Sequence, residues 1–219
     1  MPKPNFDLYL ITDRKLTWGR DLCAILEQAL DGGVKAIQLR EKDLDGKEIF
    51  KLAEKISVLC QRFDAQLFIN DRIDVALAVD AAGVQLGKSS LPIETARALL
   101  GEKKLIGFSS HGVEEATAAQ RGGANFLLFG PVFFTPSKAP FGAPQGVGAL
   151  KEVVEKSAIP VYAIGGINAE RLPATVNTGV RGVALISAII SAGNPTAAAR
   201  TILAKLARRQ SAGSPAQKR

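Results

Sequence analysis

Polar residues suited to holding anions or hard cations recur along the chain, each group directly after an apolar run. Gln38-Leu39-Arg40-Glu41-Lys42 follows one run, Asn70-Asp71-Arg72 another and Ser109-Ser110-His111 a third. Further along come Thr135-Pro136-Ser137-Lys138, then Gly165-Gly166, then Ile186-Ser187. The Arg40 guanidinium offers forked donors to phosphate oxygens, while Lys42 and Lys138 act as point charges. Asp71 is a hard oxygen ligand, and Mg²⁺ commonly takes only one or two carboxylates beside substrate phosphates. Gly165-Gly166 and the Ile186-Ser187 turn offer mainly backbone N–H groups, which hold phosphate without charge. Two anion sites are implied, one cationic and metal-assisted, the other neutral. That pairing suits two phosphorylated reactants.

Every one of these residues also has an ordinary structural use. Arg40 and Lys42 are charges that any surface loop carries. Asp71 stands where it would cap a helix beginning near Arg72, and a Gly-Gly pair is a common loop device. His111, the single histidine, reads equally as a structural residue or as an acid/base group, because an unperturbed imidazole titrates near neutral pH. Cys23 and Cys60 have neither CxxC nor metal-ligand spacing and read as small buried or half-buried thiols. Joint placement is what favours chemistry, and that depends on the elements that carry these groups.

Short β-rich runs alternate with longer amphipathic ones from end to end. The strand candidates are Leu8–Thr12, Ala36–Arg40, Gln66–Asn70, Gly83–Gly87, Leu105–Ser110, Asn125–Gly130, Pro160–Gly165 and Gly182–Ser187. Most are nearly continuous apolar runs, as in parallel strands buried on both faces. Between them, Asp45–Phe63 sets Ile49, Leu52, Ala53, Ile56, Leu59 and Cys60 on one stripe, the pattern of an amphipathic helix. Pro92 opens another helix, glycines at 32–33, 122–123 and 179 stop helices, and a last helix spans about Thr196 to Arg209. The spacing predicts a single (β/α)₈ TIM barrel with parallel strands over residues 1–207, although a doubly wound open sheet has the same alternation. In a barrel the strand ends converge on one rim, where active sites form. The segment Pro131–Gly148, with four prolines and three glycines, reads as a lid over that rim.

Composition narrows the partners. The net charge of +7 raises nucleic acid as a partner. However, Arg208, Arg209, Lys218 and Arg219 concentrate charge in residues 208–219, which are expected from the sequence to form a basic, flexible C-terminal tail. No basic-aromatic pattern accompanies it. Small anionic substrates are expected, with neither nucleic acid nor membrane, and a homo-oligomer stays open. No apolar run reaches the roughly 18 residues of a spanning helix, and Met1–Asp7 lacks a signal-peptide core. A cytoplasmic location is expected.

With the motifs in order, the chain resembles the thiamine phosphate synthase family. The resemblance rests on Leu10-Ile11-Thr12-Asp13, Gln38 to Lys42, Asn70-Asp71-Arg72 and Gly83-Val84-Gln85-Leu86-Gly87. It continues in Gly107 to His111, Gly130-Pro131-Val132-Phe133 through Lys138, Ile164-Gly165-Gly166-Ile167 and Ser187-Ala188-Ile189. It covers roughly residues 8 to 205. The resemblance implies a transferase in which the ring nitrogen of a thiazole phosphate displaces pyrophosphate from aminomethylpyrimidine diphosphate. It implies Gln38, Arg40, Lys42, Asn70, Ser109 and Lys138 at the pyrimidine diphosphate, with Leu39 and Glu41 among the substrate-binding residues. Of these Arg40, Lys42, Ser109 and Lys138 are the catalytic candidates. Thr135, Pro136, Ser137, Gly165, Gly166, Ile186 and Ser187 fall to the thiazole phosphate, and Asp71 to Mg²⁺.

The fourth unit departs from the family. There the pattern resembles GVHLGQ, an acidic residue and Asp, whereas this chain reads Gly83-Val84-Gln85-Leu86-Gly87-Lys88-Ser89-Ser90. Ser90 stands at the second metal carboxylate and offers only a neutral oxygen, so weaker Mg²⁺ binding is expected, with Lys88 supplying charge near the diphosphate. The departure keeps two rivals in view: a thiazole tautomerase using His111, and a non-catalytic barrel that binds a thiamine precursor. Intact Gln38, Arg40, Lys42, Asn70 and Asp71 weigh against the tautomerase, which has no diphosphate to hold.

Overall fold

In the computed structural model, residues 2–136 and 142–212 are described, with side chains as far as 207. Eight parallel strands close on themselves: β1 (Leu8–Ile11), β2 (Ala36–Leu39), β3 (Gln66–Asn70), β4 (Gly83–Leu86), β5 (Leu105–Ser110), β6 (Phe126–Phe129), β7 (Val161–Ile164) and β8 (Gly182–Leu185). Closure is the β1–β8 ladder, which pairs Tyr9 with Ala184. It rules out the open doubly wound sheet. The expected strands run slightly long at their ends, for physical reasons. Pro160 has no N–H for a ladder, and Gly165 at φ +99° has left the β region.

The helices follow the strands: α1 (Leu22–Asp31), α2 (Gly46–Arg62), α3 (Ile73–Ala78), α4 (Ile93–Leu100), α5 (Val113–Arg121), α6 (Gly146–Lys156), α7 (Leu172–Val176), α8 (Ser187–Ile190) and α9 (Pro195–Ala212). Asp45 caps α2 in a reciprocal box with Glu48, which fixes where the loop after β2 ends. The stripe expected on α2 is buried at Ile49, Ala53, Ile56, Leu59 and Cys60 and half-buried at Leu52. Pro92 stands just before α4, as its N-cap. The last helix runs through Ala212, beyond the expected end near Arg209.

Strand alternation sorts the side chains into two sets. One, including Leu10, Ile37, Leu39, Ile69, Val84, Leu127 and Leu185, packs against the helices. The other fills the barrel: Phe6, Tyr9, Phe68, Phe126 and Tyr162 form an aromatic plug with ring centroids 4.8–5.8 Å apart. The Tyr162 hydroxyl donates to the Phe6 carbonyl at 2.8 Å. Above the plug, the lumen-facing positions turn polar.

Candidate active site

Gln38 and Asn70 occupy lumen-facing positions at the carboxyl ends of adjacent strands β2 and β3. Gln38 is 2% exposed, and its Nε2 donates to Asn70 Oδ1 at 3.1 Å. Asn70 Nδ2 in turn donates to Asp71 Oδ2 at 2.7 Å. The other Asp71 oxygen accepts the Ser90 hydroxyl, and Ser90 Oγ accepts the Gly87 N–H at 2.7 Å. Asp71 itself sits at φ +61°, an αL conformation that aspartate tolerates better than most residues. The result is one directed relay, Gln38 to Asn70 to Asp71, with Ser90 closing from β4. Asp71 is exposed and has two neutral donors on its oxygens. The capping role open to it in the sequence is not what the fold uses: α3 begins after Arg72 with no side-chain cap.

Arg40 follows β2 directly. Its N–H donates to Thr12 Oγ1 at 2.9 Å, which ties the β2 end to the β1 end. Among the described residues, neither the Arg40 guanidinium nor the Lys42 ammonium has a side-chain partner. Glu41 between them is different. It is 6% exposed, both its oxygens accept the Arg14 N–H at 3.1 Å, and Arg14 Nε lies 3.4 Å away. Arg14 also pairs with Asp43 at 3.3 Å. The carboxylate beside the two cations is therefore drawn away by the β1 loop, and no other described carboxylate pairs with them. Leu39 is fully buried against the helices, so only its backbone faces the rim.

Gln85 lies beside Asn70 in the β3–β4 ladder. It is 2% exposed, and its Nε2 donates to Ser109 Oγ at 3.0 Å. Ser109 is half-buried, while Ser110 is wholly buried on the helix-facing set. His111 is exposed, with Nδ1 against the Gly130 carbonyl and its N–H donating to Glu115 at 2.8 Å.

On the far side of the rim, Gly165 and Gly166 both have positive φ, +99° and +65°. A Cβ on Gly165 would lie 2.6 Å from Pro131 Cα, so no side chain fits there. The Phe133 N–H donates to the Gly165 carbonyl at 3.0 Å, and the Val132 N–H to the Ile164 carbonyl at 2.8 Å. These bonds root the segment carrying Thr135 and Pro136 onto the β7 loop. Ser137 and Lys138 lie outside the described residues. The short helix α8 starts at Ser187 after Ile186, and the first N–H groups of a helix have no partner within it.

Residues that the sequence did not single out hold this side together. Arg171 donates to the Gly166 carbonyl at 2.9 Å and stacks over the Phe133 ring at 5.1 Å. Arg20 donates to the Ile190 and Ala192 carbonyls, both at 2.7 Å. It thereby straps the β1 loop to the end of α8. A cation a few residues beyond a Gly-Gly pair was a visible signal for Arg171; nothing local pointed to Arg20.

The opposite face has a cleft of about 600 Å³ lined by Asp7, Pro160, Val161, Arg181 and Leu206. Its charges, Arg181 and Asp7, pair with each other, and it lies where the strands begin, the end of a barrel associated with stability rather than catalysis.

Comparison with known proteins bears on the family. The model of a family described as thiamine monophosphate synthase matches residues 8–189. The chain belongs to the thiamine monophosphate synthase family. A Geobacter sulfurreducens protein is 50% identical over 206 residues, 94% of this chain and 97% of that one. Thiamine-phosphate synthase of Clostridium novyi is 43% identical over 198 residues, 90% of this chain and 97% of its own length. The solved structure of a thiamine phosphate pyrophosphorylase from Pyrococcus furiosus superposes with a TM-score of 0.86 at 38% identity, covering 93% of this chain and 96% of that chain.

Proposed function

We propose that this family member is a transferase that joins 4-amino-2-methyl-5-(diphosphooxymethyl)pyrimidine to thiazole phosphate, giving thiamine phosphate and pyrophosphate. The observation that carries the reading is the pair of unneutralised cations, Arg40 and Lys42, at a strand end adjoining the Gln38–Asn70–Asp71 relay. A diphosphate leaving group needs positive charge beside a hard-oxygen ligand, and Glu41 is withdrawn from it by Arg14.

In the reaction, the bond from the pyrimidine methylene carbon to the diphosphate oxygen breaks, and that oxygen keeps the electron pair. The lone pair of the thiazole nitrogen then forms the new carbon–nitrogen bond. The resemblance implies that a pyrimidine-methyl cation intervenes. The protein's contribution is then charge stabilisation of the leaving group and positioning of the nucleophile. Arg40, Lys42, Ser109 and Lys138 hold the diphosphate in this reading. Gln38 and Asn70 orient the pyrimidine. Thr135 to Ser137, with Gly165, Gly166, Ile186 and Ser187, hold the thiazole phosphate.

Asp71, with Ser90 beside it, forms an all-oxygen donor set that fits Mg²⁺ shared with substrate phosphates. Among the described residues no cluster of three or more His, Cys, Asp or Glu is present, so the protein supplies few of the ligands. Bound there, Mg²⁺ would neutralise charge developing on the departing diphosphate. No helix among the described residues is long and apolar enough to cross a membrane. A cytoplasmic location belongs to the proposal because phosphorylated reactants do not cross a bilayer unaided.

Incubating the protein with both substrates and Mg²⁺ tests the reading, with thiamine phosphate and pyrophosphate appearing in equal amounts. Tautomer exchange without pyrophosphate would favour the isomerase that uses His111. Binding with neither product would favour a precursor-binding barrel.

A further inference from the structure

We infer that Gln85 is a positioning residue that fixes the Ser109 hydroxyl as a hydrogen-bond donor toward the diphosphate. This rests on the assignment of Ser109 to the diphosphate made above. The Gln85 amide nitrogen has two acceptors nearby, Ser109 Oγ at 3.0 Å and the Leu86 carbonyl at 3.5 Å. A carbonyl oxygen only accepts, so the side of the amide facing it is the NH₂ group, and Ser109 Oγ receives an N–H. A hydroxyl has one proton. With a lone pair of Oγ taken by Gln85, that proton points away from Gln85. No described residue accepts it, and Ser109 is half-buried at the rim. A diphosphate oxygen, which accepts and never donates, is the complementary partner.

The barrel makes room for this amide. Gln85 pairs with Gly107 across the β4–β5 ladder. A Cβ at position 107 would lie 2.3 Å from Gln85 Oε1 and 2.4 Å from Phe126 Cζ. Gln85 Oε1 has no hydrogen-bond partner among the described residues, which is a cost to the fold. A methionine of similar length would fill the space without that cost. Fold stability alone therefore does not call for glutamine here, whereas orientation of Ser109 does.

The test is a double-mutant cycle on the full chain, with Gln85→Met, Ser109→Ala and their combination. Calorimetry reads the binding of inorganic pyrophosphate with Mg²⁺, and steady-state kinetics read KM for each substrate. Ser109→Ala is expected to weaken pyrophosphate binding about tenfold or more, the worth of a hydrogen bond to a charged group. Gln85→Met is expected to weaken it about two- to tenfold, to leave KM for thiazole phosphate unchanged, and to add nothing in the Ser109→Ala background. Should the methionine variant fail to fold, Gln85→Leu takes its place in the cycle. Equal losses with and without Ser109, or no loss on replacing Gln85, overturn the inference alone. Parent-like pyrophosphate binding by Ser109→Ala removes the assignment of Ser109 as well.

Discussion

Ser90→Asp places a second carboxylate where a hydroxyl now donates to Asp71. Aspartate still offers an oxygen to the Gly87 N–H, so the turn keeps its bond. What is lost is a donor, and what is gained is a like charge. At about 4 Å two unit charges repel by about 4 kcal/mol at an effective dielectric of 20 and about 1 kcal/mol in water. Asp71 is exposed, so the lower end applies, about 1–2 kcal/mol. Without metal the variant should then melt a few degrees below the parent, at roughly 2–4 °C per kcal/mol for a chain of this size. A divalent cation reverses the sign, because each carboxylate attracts two charges. Magnesium affinity should rise about tenfold or more, and added Mg²⁺ should raise the variant's melting temperature more than the parent's. Calorimetric Mg²⁺ titration in the presence of pyrophosphate, beside thermal melts with and without metal, measures both. Unchanged affinity with a lowered melting temperature would refute the idea that Ser90 and Asp71 flank one metal.

Other expectations test different parts of the molecule. Gly165→Ala forces a Cβ to 2.6 Å from Pro131 Cα at φ +99°; a cost of about 1–3 kcal/mol is expected in urea unfolding, with a raised KM for thiazole phosphate. Phe68→Ala empties part of the aromatic plug and should cost about 3–5 kcal/mol by the same unfolding measurement. Burial pushes the Cys60 thiol from 9.0 up to about 12. Its contribution to stability is complete below the ordinary thiol range and is lost as pH rises from 9.0 toward about 12. In the native protein a thiol reagent near neutral pH should leave Cys60 unmodified until denaturant is added, and rapid labelling under native conditions would contradict that.

The fold was legible because its signals are local. Near-continuous apolar runs mark strands buried on both faces, and the α2 stripe repeats at helical spacing, so all eight strands could be placed along the chain, whereas closure into a ring rests on the β1–β8 ladder. The rim was legible for the same reason: a polar residue directly after a strand has nowhere else to be in a closed barrel. Choice of partner was not legible, because it depends on contacts distant in sequence. Along the chain Glu41 reads as part of the cationic cluster, but Arg14, 27 residues away, holds it. Asp71 looked able to cap α3, but the αL turn instead hands its oxygens to Asn70 and Ser90. Arg20 reaches carbonyls 170 and 172 residues on, which no pattern along the chain announces.

A crystal structure of the protein with Mg²⁺, pyrophosphate and thiamine phosphate would show how the rim holds its ligands. One pyrophosphate is expected to be held by Arg40, Lys42, Ser109 and Lys138, with the metal on Asp71 and the thiamine phosphate group at Gly166 and Ser187. Pyrophosphate seated away from Arg40 and Lys42, or a metal that leaves Asp71 untouched, would contradict it.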